Sequence, residues 1–136
     1  MNAVDTNVLL YVHDPRDARK QSIATDLMNS LPHKVILWQV ACEYLAASRK
    51  LAVVGFTFEK ACQNIEEFCR LFPLVVRAPS ILTQACAMKL KHSVSYWDAM
   101  ILAACQGAGV STLYSEDINA NMAPLGTLRV INPFEL

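Results

Sequence analysis

A chain of 136 residues has room for one domain with a buried core and little for a second. With 54% hydrophobic residues, 18% charged residues and twelve acidic against twelve basic side chains, much of it must be interior or pressed against a partner, and its neutral total argues against a broad nucleic-acid-coating surface. No stretch approaches the ~20 apolar residues of a membrane span, and Met1-Asn2-Ala3-Val4-Asp5 lacks the basic region of a signal peptide, so a soluble cytoplasmic protein is expected.

Ala3-Val4 reads as a short strand running into Asp5-Thr6-Asn7 and a helical stretch over 8–12. His13-Asp14-Pro15 is a turn, and Pro15 suits the start of a second helix reaching about residue 30. Leu31-Pro32-His33 breaks it. Val35-Ile36-Leu37-Trp38 is a continuous apolar run, as in a fully buried parallel strand, followed by a helix over 39–52 that ends near Gly55. A helix over 58–71 puts Ala61, Cys62, Ile65, Phe68, Cys69 and Phe72 on one face. Leu74-Val75-Val76 is a strand, and helices over 80–91 and 95–106 follow, the second ended by Gly107 and Gly109. Thr112-Leu113-Tyr114 and Leu128-Arg129-Val130-Ile131 close the series as strands. Strands alternating with helices imply parallel βαβ units, hence an α/β sandwich.

Against this frame four carboxylates adjoin apolar segments rather than solvated charge runs: Asp5, Glu43, Asp98 and Asp117. Each follows a strand or lies near the start of a helix. In open parallel sheets those positions gather at the carboxyl ends of the strands, so the acids are expected to converge, buried or half-buried. Each also has a local structural reading. Asp5 can cap the following helix, and Glu43 is an early-turn acid favoured by the helix dipole. Ser95 and Asp98 have capping-box spacing, and Asp117 sits among loop formers. Against this, Ile101, Leu102 and Cys105 share the face of Asp98, and an acid on a buried stripe needs a cation. No lysine or arginine adjoins Asp5, Glu43 or Asp98 in the sequence, which leaves a divalent metal as the simplest common partner. Setting the four acids aside leaves twelve basic side chains against eight acidic ones, compatible with a phosphate-bearing substrate.

Other chemistries lack their signatures. There is no glycine-rich phosphate loop or GxSxG elbow, and His13, His33 and His92 form no HxxxH pair. Cys42, Cys62, Cys69, Cys86 and Cys105 form no CxxC pair and read as reduced core cysteines. Trp38 and Trp97 read as core aromatics, and Arg16, Arg19 and Lys20 as a solvated helix face.

The ordered set Asp5-Thr6-Asn7, Glu43, Ser95-Tyr96-Trp97-Asp98 and Tyr114-Ser115-Glu116-Asp117, with the ending Val130-Ile131-Asn132-Pro133-Phe134, resembles the PIN domain over essentially the whole chain. The likeness is to the VapC-type toxins of bacterial toxin–antitoxin modules. The resemblance implies a single domain over 1–136, a three-layer α/β/α sandwich with a short, mainly parallel central sheet. It implies a Mg²⁺- or Mn²⁺-dependent endoribonuclease with Asp5, Glu43, Asp98 and Asp117 as its acidic site. It also implies a homodimer held inactive by a cognate antitoxin protein. Asp5 and Asp98 would be the principal metal ligands, with Glu43 and Asp117 acting directly or through water. Thr6, Asn7 and Ser115 are candidates for positioning water or substrate, and Glu116 for an extra ligand. The sequence departs from the family pattern where Asn119-Ala120-Asn121-Met122 stands in place of a glycine soon after the final acid. The rival readings are a nuclease of DNA or flap structures and a PIN-like scaffold that binds RNA or protein without cutting.

Overall fold

Apolar strands too short to stand alone are joined here by helices into one parallel sheet. The structure, a computed structural model, describes residues 1–118 and 124–135. In chain order it runs β1 (Asn2–Val4), α1 (Thr6–Tyr11), α2 (Ala18–Ser30), β2 (Lys34–Leu37), α3 (Trp38–Ala47) and a 3₁₀ segment (Ser48–Val54). Then come α4 (Phe58–Leu71), β3 (Leu74–Val75), α5 (Pro79–Lys91), α6 (Tyr96–Ala108), β4 (Thr112–Tyr114), β5 (Arg129–Ile131) and a final 3₁₀ turn (Pro133–Glu135).

The strands lie in the order β3-β2-β1-β4-β5, and every pairing between them is parallel. Among the described residues six helices flank the sheet: α5 and α6 pack on each other, while α1 packs on α2 and α3, and α3 on α4. Ala3, Val4, Val35, Leu37 and Leu113 of the sheet share one core cluster with Val8, Leu9, Val40 and Tyr44 of α1 and α3 and with Ala99, Ile101, Leu102 and Cys105 of α6. Leu9, Leu102 and Leu113 are at most 1% exposed, and each such side chain contributes about 1.5–3 kcal/mol relative to exposure. β1 is central, with β2 on one side and β4 on the other, so its carboxyl end is where the strand order reverses.

The alternation and the helices over 58–71 and 95–106 match expectation closely; others shift for local reasons. α2 starts at Ala18, not Pro15, because Asp17 caps it by accepting from the Lys20 amide at 3.1 Å, and Asp14 first closes a turn on the Arg16 amide. β2 stops at Leu37, and Trp38 opens α3. The expected helix over 39–52 is α-helical only to Ala47. Ser48 Oγ then donates to the Leu45 carbonyl at 2.8 Å, the chain tightens into the 3₁₀ segment, and Gly55 ends it at φ 87°, a conformation that favours glycine. Gly107 lies inside α6; Gly109, at φ 73°, is the residue that ends it.

The readings of cysteine and tryptophan as core are overturned. Only Cys105 is buried; Cys42, Cys69 and Cys86 are exposed and Cys62 is half-buried. Trp38 and Trp97 are 43% and 62% exposed. The helical stripes that carry these residues are wider than the surface the sheet covers.

His13, at the end of α1, joins three elements. Its ring stacks on Phe56 at 3.8 Å and 9°, and its Nε2 lies 3.0 Å from the Tyr44 hydroxyl and 3.1 Å from Asn64 Nδ2. Two donors facing one ring nitrogen fit a neutral imidazole that accepts there. Burial lowers the His13 pKa from 6.5 to about 4. This neutral peg ties α1 to α3 and α4 beneath the site.

Candidate functional site

The backbone continues its sheet pairing one residue past β1: the Asp5 amide donates to the Tyr114 carbonyl at 2.9 Å. Asp5 is therefore fixed where the strand order reverses, and it is only 5% exposed. Its Oδ1 accepts the Thr6 amide at 2.7 Å, the capping role, and its Oδ2 accepts the Ser115 hydroxyl at 2.7 Å. Burial pushes its pKa up to about 6, against lowering hydrogen bonds from Ser115 and Thr6 and with added repulsion from Glu43 and Asp117.

Glu43, half-buried on α3, has a neutral donor on each oxygen. Gln39 Nε2 donates to Oε1 at 2.7 Å and Thr6 Oγ1 to Oε2 at 3.0 Å. Asp98 is half-buried in the first turn of α6, where its amide donates to Ser95 Oγ at 3.0 Å. Its pKa is raised, chiefly by burial, with repulsion from Asp117 and Glu43 added against a lowering hydrogen bond from Ser95.

Asp117 is exposed, a correction to the expectation that all four acids are buried or half-buried. It stands on the loop after β4, beyond the reach of the sheet's packing, and is held by Asn7, whose Nδ2 donates to its Oδ2 at 3.2 Å. The same Nδ2 lies 3.5 Å from Asp5 Oδ2, so Asn7 bridges the acids of β1 and β4. Ser115, fully buried, donates to Asp5 and accepts from the amides of Asp117 and Ile118 at 3.2 and 3.1 Å. It holds the carboxylate and the loop together rather than facing solvent.

Glu116, considered as an extra ligand, is committed elsewhere. It forms an ion pair with Lys20 and accepts from the Tyr11 hydroxyl at 2.8 Å. Arg19 donates to the Phe134 carbonyl. Of the three cations read as a solvated face, Lys20 is therefore half-buried and paired, and Arg19 is tied to the chain's end. The departure from the family pattern at residues 119–122 lies outside the described residues.

Four separate segments thus bring their acids to one edge, and among the described residues none of the four has a lysine, arginine or histidine ion-pair partner. Carboxylate oxygens, raised pKa values and mutual repulsion are the donor chemistry of a hard divalent cation. No three His, Cys, Asp or Glu side chains among the described residues stand close enough to enclose an ion. The donor set suits Mg²⁺ or Mn²⁺; the side-chain spacing is wider than ligation requires.

A cleft of about 440 Å³ opens beside two of these acids, Glu43 and Asp117, and is lined also by Thr6, Asn7, Arg49 and Lys50; Asp5 and Asp98 are not among its lining residues. It adjoins a second of about 240 Å³ that shares Asn7, Lys50 and Asp117 and adds Glu116 and the ion pair of Arg16 with Asp14. Another cleft of about 410 Å³, by Gln84, Lys91, His92 and Gln106, is lined by no carboxylate. Sequence reasoning missed Gln39, Arg49 and Lys50. The Gln39–Glu43 spacing of four residues was a usable signal; the two cations follow the helix that carries Glu43, but only the tertiary fold turns them to its acid.

No family model and no curated protein matches this chain. Solved structures do. The chain is similar to a toxin–antitoxin complex from Klebsiella pneumoniae at TM-score 0.71 and 18% identity, over 100% of both chains. The FitAcB structure from Neisseria gonorrhoeae matches at 0.64 and 17%, again over 100% of both. The fold is PIN-like. Mycobacterium tuberculosis VapC20, a sarcin-ricin loop cleaving toxin, matches at TM-score 0.63 and 21% identity over 88% of this chain and 92% of that one. The expected five-stranded PIN-like sandwich is therefore the fold observed, with a sheet that is wholly parallel among the described residues.

Proposed function

We propose that this chain is a divalent-metal-dependent endoribonuclease, the toxin of a toxin–antitoxin pair, with Asp5, Glu43, Asp98 and Asp117 as its acidic site. The observation that carries this reading is the convergence of those four carboxylates, none with a cationic partner among the described residues, at the carboxyl end of the central strand. Burial disfavours the ionised forms of Asp5 and Asp98, and two further carboxylates nearby add repulsion, a combination that supports a bound cation.

Asp5 and Asp98 are the principal holders of Mg²⁺ or Mn²⁺, with Glu43 and Asp117 completing the site directly or through water. The ion would supply activation of the attacking water and neutralisation of charge at the phosphoryl oxygens. The chain's own part is to hold the oxygens still: Ser115 and the Thr6 amide fix Asp5, Gln39 and Thr6 fix Glu43, and Asn7 fixes Asp117. Arg49 and Lys50 along the cleft take backbone phosphates flanking the scissile bond.

Support for a protein partner comes from the similarity to toxin–antitoxin complexes and from large apolar side chains left in solvent, among them Trp38, Val53, Phe58, Leu71 and Trp97. The partners proposed are a cognate antitoxin and a second copy of the chain, in the cytoplasm. No helix of the described residues is long and apolar enough to cross a membrane.

The test is incubation of antitoxin-free protein with total cellular RNA, a ribosomal stem-loop and single-stranded or branched DNA, in Mg²⁺, Mn²⁺ or EDTA. Discrete metal-dependent cuts in RNA, absent with Asp98→Asn, are expected. Cutting confined to DNA, or RNA cleavage unchanged by EDTA, would refute it.

A further inference from the structure

Gln39 is the one polar side chain of α3 that lies buried, at 7% exposure, and it touches two of the elements that carry acids. It sits four residues before Glu43, so both project from the same side of the helix. Its Nε2 donates to Glu43 Oε1 at 2.7 Å and to the Trp97 main-chain carbonyl at 3.2 Å. Trp97 immediately precedes Asp98, in the first turn of α6. One carboxamide therefore reaches from the acid of α3 to the turn that presents the acid of α6.

The chemistry of the bridge matters. A lysine or arginine here would hold Glu43 equally well but would neutralise it, leaving less charge for a cation. A primary amide has two donor hydrogens and no charge, so it can serve both acceptors at once while leaving the carboxylate's charge available. Thr6 Oγ1 does the same for the other oxygen of Glu43 at 3.0 Å. Both oxygens are thus oriented by neutral donors.

We infer that Gln39 is a positioning residue that fixes Glu43 relative to Asp98, so that α3 and α6 present their acids as one unit; this rests on the metal-site reading above. Such outer partners orient ligands without contacting the ion, and their loss typically costs about 10–100-fold in metal affinity or activity.

The experiment compares wild type with Gln39→Met, which keeps length and apolar bulk but has no donor. The readouts are Mn²⁺ affinity by calorimetry, the separate kcat and KM for RNA cleavage, and melting temperature. A folded Gln39→Met is expected to bind Mn²⁺ about 10–100-fold more weakly and to lose kcat with KM for RNA unchanged. Wild-type Mn²⁺ affinity and kcat in the folded variant would overturn the inference. Should the variant not fold, the unsubstituted protein decides by NMR of ¹⁵N-labelled side chains. The Gln39 amide is expected to exchange slowly with solvent and to shift on adding Mg²⁺; a fast-exchanging amide blind to Mg²⁺ overturns the proposal. Absence of any Mn²⁺ binding by wild type would refute the metal-site reading itself, and the positioning role with it.

Discussion

Glu116 and Asp117 leave β4 side by side and meet opposite surroundings. Glu116 turns to the α1–α2 side, where Lys20 and Tyr11 satisfy it and the aromatic rings of Tyr11 and Phe134 lie beneath the ammonium group. Asp117 turns to the acid edge, where its side-chain partner is the neutral amide of Asn7 and its neighbours are further carboxylates. One peptide unit therefore separates an acid that holds the fold together from one that the fold leaves uncompensated. Glu116 has a paired cation, whereas the side-chain groups that hydrogen-bond Asp5, Glu43 and Asp117 are amides and hydroxyls; Arg49 and Lys50 line the adjoining cleft but form no ion pair with these acids among the described residues. That difference is what supports the proposed reading of the edge as a binding site rather than as an ordinary ion-pair network.

The comparison can be broken by substitution. The largest effect is expected on cleavage. If the proposed metal site is right, removing one of its carboxylates forfeits several kcal/mol of charge stabilisation, so Asp98→Asn should slow RNA cleavage by about two decades or more. Glu116→Gln, beside the site but paired away from it, should keep near-wild-type rates. Equal losses in the two variants, measured under single-turnover conditions, would erase the distinction.

Stability should respond in the reverse order. Glu116→Gln removes a half-buried ionic hydrogen bond and leaves Lys20 unpaired, an expected loss of about 1 kcal/mol in urea unfolding. Asp98 has its pKa raised above the unfolded value, so its ionised form opposes folding at neutral pH, and its contribution improves only as pH falls. Metal-free Asp98→Asn at pH 7 should therefore melt slightly above wild type. A lower melting temperature would mean that the carboxylate is structurally satisfied.

The smallest effect sharpens the contrast from a third region. His13 is held neutral, with its pKa lowered from 6.5 to about 4, so the unfolded chain binds the extra proton first as pH falls. Its share of stability is intact above pH 6.5 and is lost progressively as pH drops toward 4. Over that window wild type should lose melting temperature faster than His13→Gln; parallel curves would show that the stacked ring titrates freely.

Much of this was legible in the sequence. The strand and helix alternation, the places of Asp5 and Asp117 after strands and of Asp98 at a helix start, and the Ser95 cap follow from local pattern, and the structure keeps them; Glu43, expected in an early turn, lies mid-helix because α3 already begins at Trp38. The paired state of Glu116 was not legible, because Lys20 lies 96 residues away along the chain. Nor was the exposure of Trp38, Trp97 and three of the cysteines, since periodicity gives the side of a helix that is apolar without saying how much of it the sheet covers. The placement of Lys50 in one cleft with Asp117 likewise needed the fold, which packs α3 against α1 and the 3₁₀ extension against α3 and α4.

The most direct test of the central claim, that the unpaired acids and not their paired neighbour form a divalent-cation site, is Mn²⁺ titration followed by electron paramagnetic resonance. Wild type and Glu116→Gln should bind Mn²⁺ alike, and Asp98→Asn should bind it much more weakly. Undiminished binding by Asp98→Asn, or its loss in Glu116→Gln alone, would contradict the account.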